Sequence, residues 1–187
     1  MSFIEVKAMI SIKRIHHVAY RCIDAKKTAE FYKEVLNMDL TVAISEERVP
    51  STKEPNPYMH IFLDAGMGNV LAFFEITGVP EMGFDPNTPK WVQHIALEVP
   101  TMEMLEEALK HIKSKGIDVI GIVDHAIFKS IYFFDPNGHR IELACNTCTD
   151  AQVKKLKEVA GPMLEEWSQT KLPPKHAAWL HEEEFKK

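Results

Sequence analysis

The sequence is poor in cysteine, with Cys22, Cys145 and Cys148 the only three in 187 residues. Three cysteines make no disulfide framework, so a reduced, cytoplasmic protein is the default expectation. Cys145 and Cys148 form one C-x-x-C without a second pair, whereas a structural zinc site needs four ligands. There is no run of eighteen apolar residues, and no membrane span is expected. The opening "MSFIEVKAMISIKRI" lacks the apolar region and small-residue cleavage site of a leader peptide. Basic blocks are absent too. Lys and Arg total 22 against 27 Asp and Glu, for a net charge of −5, which argues against nucleic acid as a partner. What remains is a composition of 45% apolar and 26% charged residues. It fits a globular chain long enough for one domain or for two small modules sharing a core.

The chain repeats itself. "IHHVAYRCIDAKKTAEFYKEVLNMDL" begins at Ile15 and "VQHIALEVPTMEMLEEALKHIKSKGIDV" at Val92. Each opens with a short strand-like run around His-Val/Ile-Ala, turns at a polar residue or proline, and continues as an amphipathic helix. Ala29, Tyr32 and Leu36 in one, and Leu105, Ala108 and Ile112 in the other, fall on one helix face. Strand candidates follow: "LTVAIS", "YMHIFLDA" and "NVLAFFEI" in the first half, "DVIGIV", "SIYFFD" and "HRIELA" in the second. The Pro-Asn-Gly after Asp135 is a hairpin signal. The reading is an α+β fold of two βαβββ modules in a single domain over 12–149, module 1 at about 12–80 and module 2 at about 90–149. The polar, proline-bearing stretch 45–57 reads as an inserted loop. Residues 150–187 belong to neither repeat. They read as a C-terminal helical extension that packs on a module or on a partner subunit. Gly161-Pro162 is expected to break or kink its helix, and Pro173-Pro174 to end it.

Repetition also singles out polar side chains. His17 and His94 sit at matching places in the two opening strands, each with an alanine two residues on that leaves room above the imidazole. Each module ends in an apolar strand that carries one acid, Glu75 in "LAFFEI" and Glu142 in "RIELA". A charge between Ile141 and Leu143 is costly unless paired or coordinated. A pseudo-twofold seam would gather His17, Glu75, His94 and Glu142 into a mixed nitrogen and oxygen site for a divalent metal. His16 rivals His17, but only His17 aligns with His94. His60, His111, His139, His176 and His181 have no such counterpart and read as surface or incidental.

With "HHVAYRCIDAKKTAEFYKEVLNM" and "DPNGHRIEL" in view, the chain resembles the vicinal oxygen chelate superfamily over about residues 12–146. That group includes glyoxalase I, epimerases, fosfomycin and bleomycin resistance proteins and extradiol dioxygenases. The resemblance implies two modules forming a half-open barrel around a metal, and a homodimer acting on a small molecule. The run from "VDH" (123–125) through "IY" (131–132) and "DPNG" (135–138) to Glu142 is similar to the signature of type I extradiol ring-cleavage dioxygenases. That likeness implies His17, His94 and Glu142 as ligands of Fe(II), with His125 and Tyr132 contacting the catechol oxygens. Glu75 departs from it. As a fourth ligand, Glu75 would suit instead a glyoxalase I or epimerase type of isomerisation on Ni, Zn, Co or Mn, although the Asn that follows the corresponding Glu in glyoxalase I is missing from "EITGVP".

Overall fold

The computed structural model describes residues 11–181; residues 1–10, with most of the stretch read for a leader, lie outside the described residues. The chain divides into two compact units between Pro86 and Asn87. Unit 1 runs β1 (Val18–Cys22), α1 (Ala25–Leu36), β2 (Leu40–Glu46), β3 (Tyr58–Asp64) and β4 (Val70–Ile76). Unit 2 repeats it as β5 (His94–Glu98), α2 (Met102–Ser114), β6 (Ile120–Asp124), β7 (Phe128–Phe134) and β8 (Arg140–Asn146), followed by α3 (Asp150–Thr170). Each unit holds one four-stranded sheet, ordered β1-β4-β3-β2 and β5-β8-β7-β6. The first pair of each sheet is parallel and the other two are antiparallel. The two βαβββ modules expected from the repeat are therefore present.

The sheets form because residues alternate between a helix-covered and a helix-free face. In unit 1, Ile61, Leu63, Leu71 and Phe73 are at most 4% exposed. They lie on the side covered by α1, where Tyr32 meets Phe73 at 5.1 Å between ring centroids. Helix α1 offers Ala25, Thr28, Tyr32 and Val35, a stripe with helical spacing. Its Asp24 cap accepts from the Lys27 amide at 2.9 Å, and Asn37 closes it in the left-handed region. In unit 2, Leu105 and Ile112 of α2 are buried on the side of Ile131, Phe133, Ile141 and Leu143. Burying each such side chain contributes roughly 1.5–3 kcal/mol.

One turn fixes the register of unit 2. The buried Asp135 carboxylate accepts from the amides of Asn137 (2.9 Å) and His139 (2.8 Å) and from the Asn137 side chain (2.9 Å). Gly138 takes φ +86°, which suits a residue without Cβ. The hairpin then pairs Tyr132 with Glu142 and Ser130 with Ala144.

The extension departs from expectation at Pro162. Helix α3 runs unbroken from Asp150 to Thr170 with Pro162 inside it. Proline's fixed φ is itself helical, so one backbone hydrogen bond is lost without unwinding the flanks. A capping box at Thr149 and Gln152 starts the helix and a left-handed Lys171 ends it, just before Pro173-Pro174. None of its residues is buried. The following segment turns back on it: His176 meets Glu166 at 2.8 Å, and the ammonium of Lys155 lies 4.2 Å from the ring centre of the buried Trp179. Among the described residues no helix is long and apolar enough to cross a membrane.

Candidate metal centre

In unit 2 the helix-free face of the sheet gathers His94, Ser130, Tyr132, Arg140 and Glu142. Parallel pairing sets Ala96 of β5 beside Glu142 of β8, one alternation from His94. Glu142 is 3% exposed and its charge is fully engaged. One oxygen, Oε1, accepts from the Ser130 hydroxyl and from the Tyr132 hydroxyl at 2.9 Å. The other, Oε2, lies 2.9 Å from His94 Nε2.

His94 is held from behind. Its Nδ1 lies 3.0 Å from the Val92 carbonyl, which can only accept, so Nδ1 carries a proton. A neutral ring then presents its Nε2 lone pair to the Glu142 carboxylate. Two lone-pair-bearing atoms facing each other at this distance require a cation between them, either a proton on the imidazole or a metal. An imidazole nitrogen with a carboxylate oxygen is a donor set for a divalent transition metal. The Val92 carbonyl and the Ser130 and Tyr132 hydroxyls are the outer hydrogen bonds that such ligands carry. The residues present thus fit a metal. Among the described residues, however, no three His, Cys, Asp or Glu side chains stand together as a ready cluster.

Tyr132 extends this network. Its single proton goes to Glu142, so its oxygen accepts from His125 Nε2 at 2.8 Å. The chain runs from the exposed His125 through the buried Tyr132 to Glu142. Burial, then the hydrogen bond to Glu142, raises the Tyr132 pKa, so the phenol keeps its proton near neutrality. The Arg140 guanidinium lies 4.2 Å from the centre of the Tyr132 ring.

Unit 1 repeats the backbone without the chemistry. There Ala19 pairs with Ala72 as Ala96 pairs with Glu142. The residue matching Glu142 is therefore Ala72, and the expected equivalence with Glu75 does not hold in the register. Glu75 lies three positions further along β4, beside Cys22, and on the opposite face. Its Oε2 accepts from the Ala25 amide at 2.7 Å, at the first turn of α1, where a negative charge is favourable. His17 immediately precedes β1, with its Nδ1 2.8 Å from that of His16. Its ring centroid lies 6.2 Å from that of His60 and 5.7 Å from that of Phe62. His60 is 9% exposed rather than a surface residue, and burial lowers its pKa, with the nearby His17 adding to the effect. Cys145 and Cys148 are free thiols.

The sequence reading passed over Ser130, Arg140 and His60. Ser130 and Arg140 each sit two residues from a flagged residue, which on a strand means the same face. His60 carried no such signal until strand pairing was known.

Comparison with known proteins settles the family. The Glyoxalase/Bleomycin resistance protein/Dioxygenase superfamily matches residues 14–143. The chain belongs to this superfamily. Its relatives include a putative ring-cleaving dioxygenase, MhqA, of Bacillus subtilis, 29% identical over 73% of this chain and 42% of that protein. The chain thus spans about two fifths of that relative's length. The metallothiol transferase FosB of Staphylococcus epidermidis is 26% identical over 75% of this chain and 87% of that protein. Among solved structures, a glyoxalase family protein from Enterococcus faecalis aligns at TM-score 0.53 and 25% identity, over 71% of this chain and 97% of that one. The fosfomycin resistance protein FosX of Listeria monocytogenes, in complex with Mn(II) and sulfate, aligns at TM-score 0.51 and 20% identity, over 73% of this chain and 95% of that one, a likeness of fold.

Proposed function

We propose that this superfamily member is a metal-dependent enzyme that opens a catechol-type aromatic ring with O2. His94 and Glu142 would hold the metal, with His17 as the third ligand that the family pattern supplies. Fe(II) is the favoured ion, and when bound it would supply the electron path between the aromatic diol and O2. The observation that carries the reading is the chain His125–Tyr132–Glu142, because ring opening needs protons taken from the diol and returned to oxygen. Tyr132, kept protonated, donates at its Oη. Its loss is made good from His125 Nε2, whose ring reaches solvent. Ser130 and Arg140 hold the carboxylate and the phenol ring in place. The family member to which this signature is similar uses three protein ligands, and Ala72 in place of a second carboxylate agrees with three. The isomerase alternative depended on Glu75, whose hydrogen bond to α1 speaks against it.

A second reading has one observation in its favour: the chain spans 87% of FosB, a metallothiol transferase. A transfer of a thiol to an electrophile would use the same metal ligands and no O2.

The test loads the protein with Fe(II) without oxygen, adds 4-methylcatechol, admits O2, and follows oxygen uptake with the absorbance of the ring-opened product. Turnover is expected, and Tyr132→Phe should lower kcat by about 10²-fold. No oxygen uptake with any of a panel of catechols, together with anaerobic thiol consumption by the Mn(II)-loaded protein given an epoxide, would replace the first reading with the second.

A further inference from the structure

Unit 2 contains a cation that its own residues do not balance. Arg140 pairs in register with His94, and residues paired across neighbouring strands share a face about 5 Å apart. Its guanidinium lies over the Tyr132 ring, 4.2 Å from the centre. Contact with a ring uses the flat face of a guanidinium and leaves the N–H groups, which lie in its plane, free to donate. Nε is closed off from solvent and makes no hydrogen bond. The outer nitrogens form no hydrogen bond or ion pair among the described residues either. Arg140 as a whole is only half-buried, and the His94 side chain beside it is 30% exposed. With Nε enclosed, the exposure of Arg140 lies at its outer end, where a ligand arrives from solvent.

The acid two residues along β8 is already committed. Glu142 gives one oxygen to Ser130 and Tyr132 and the other to His94. A divalent ion held by His94 and Glu142 would add two positive charges to the one on Arg140, against the single negative charge of Glu142. Like charges this close, partly withdrawn from water, are stable only with anions among them. A diol bound as a monoanion supplies one negative charge, and the excess calls for another. A water molecule satisfies the outer donors without offsetting the charge. The fork of N–H groups describes the better partner: a planar carboxylate, which a guanidinium takes through two parallel hydrogen bonds.

We propose that Arg140 is a specificity-determining residue of the metal site, whose guanidinium binds a carboxylate carried by the aromatic substrate. This deepens the catechol reading and rests on it, and no residue of unit 1 takes part. Catechols with an acid substituent are then preferred over neutral ones.

Two probes of nearly equal shape decide the matter: 3,4-dihydroxybenzoate and 3,4-dihydroxybenzamide, which differ in charge. Their binding to the Fe(II)-loaded protein would be measured by calorimetry without oxygen. The wild type is expected to prefer the benzoate roughly tenfold or more, the value of hydrogen bonds between charged groups. Arg140→Gln, which keeps a donor without the charge, should cut the preference to within about threefold, the share left to the metal's own attraction. Arg140→Met, whose apolar chain still packs on Tyr132, should do the same, while Arg140→Lys, a point charge without the fork, should restore part of it. Because the readout is a ratio of two affinities in one protein, a general loss of packing or of metal does not imitate the effect. No preference in the wild type, or a preference undiminished in either folded neutral variant, overturns the inference and leaves the catechol reading standing. If neither probe binds the loaded wild type, the catechol reading falls and takes this inference with it.

Discussion

The helix-free faces of the two sheets share a backbone and differ in almost every side chain that matters. In unit 2, Glu142, Tyr132 and Ser130 build a hydrogen-bonded acid. At the matching positions unit 1 carries Ala72, Phe62 and His60. The helix-covered faces are alike, with large aliphatic and aromatic residues buried against a helix stripe on both sides. A repeated unit can thus keep its core while one copy keeps the charge. The buried carboxylate is tolerable only where three hydrogen-bonding groups meet it, and unit 1, with Phe62 and His60 in place of the tyrosine and serine hydroxyls, has no carboxylate there.

The comparison breaks most sharply at the acids. Glu142→Gln or His94→Ala should lower metal affinity by about 10²-fold or more in a competition assay against a chromogenic chelator, while far-ultraviolet circular dichroism stays unchanged. Glu75→Gln should leave metal affinity within about twofold. It should lower unfolding free energy by about 0.5–2 kcal/mol in urea, because it weakens the charge at the first turn of α1. Equal loss of metal in the two cases would restore Glu75 to the site. A smaller effect concerns His60, whose folded pKa lies below its ordinary value. The unfolded chain then binds the proton more readily, so stability is complete above about pH 6.5 and falls as pH drops below it. In metal-free protein, the melting temperature of His60→Phe should fall less between pH 7 and pH 5 than that of the wild type.

Much of this was legible in the sequence because it depends on local spacing. The two helices follow from stripes such as Tyr32 with Leu36, and the hairpin at Asp135 from its turn residues. His94 and Glu142 stood out as polar residues in apolar strands, and the structure sets them 2.9 Å apart. What stayed hidden depends on register between strands distant in the chain. Glu75 and Glu142 look alike when the strands are laid side by side, yet the pairing of Ala19 with Ala72 offsets Glu75 by three positions. An odd offset turns a side chain to the other face. His60 was hidden for the same reason, since only its pairing with Phe74 shows it buried and beside His17. Pro162 misled in another way: a local rule predicted a break that the surrounding turns of α3 override.

The Asp135 turn decides where this chain can change length over evolutionary time. Three hydrogen bonds to one carboxylate fit only five residues from Asp135 to His139. One extra residue there would break the clasp. If the strands then slipped by one to re-pair, Glu142 would face Leu105 and Ile112, among aliphatic side chains. The stretch 47–57 between β2 and β3 is under no such constraint, because it can lengthen outward without moving either strand. Insertions and deletions in lineages that keep the Glu142 network should therefore collect in 47–57 and avoid 135–139.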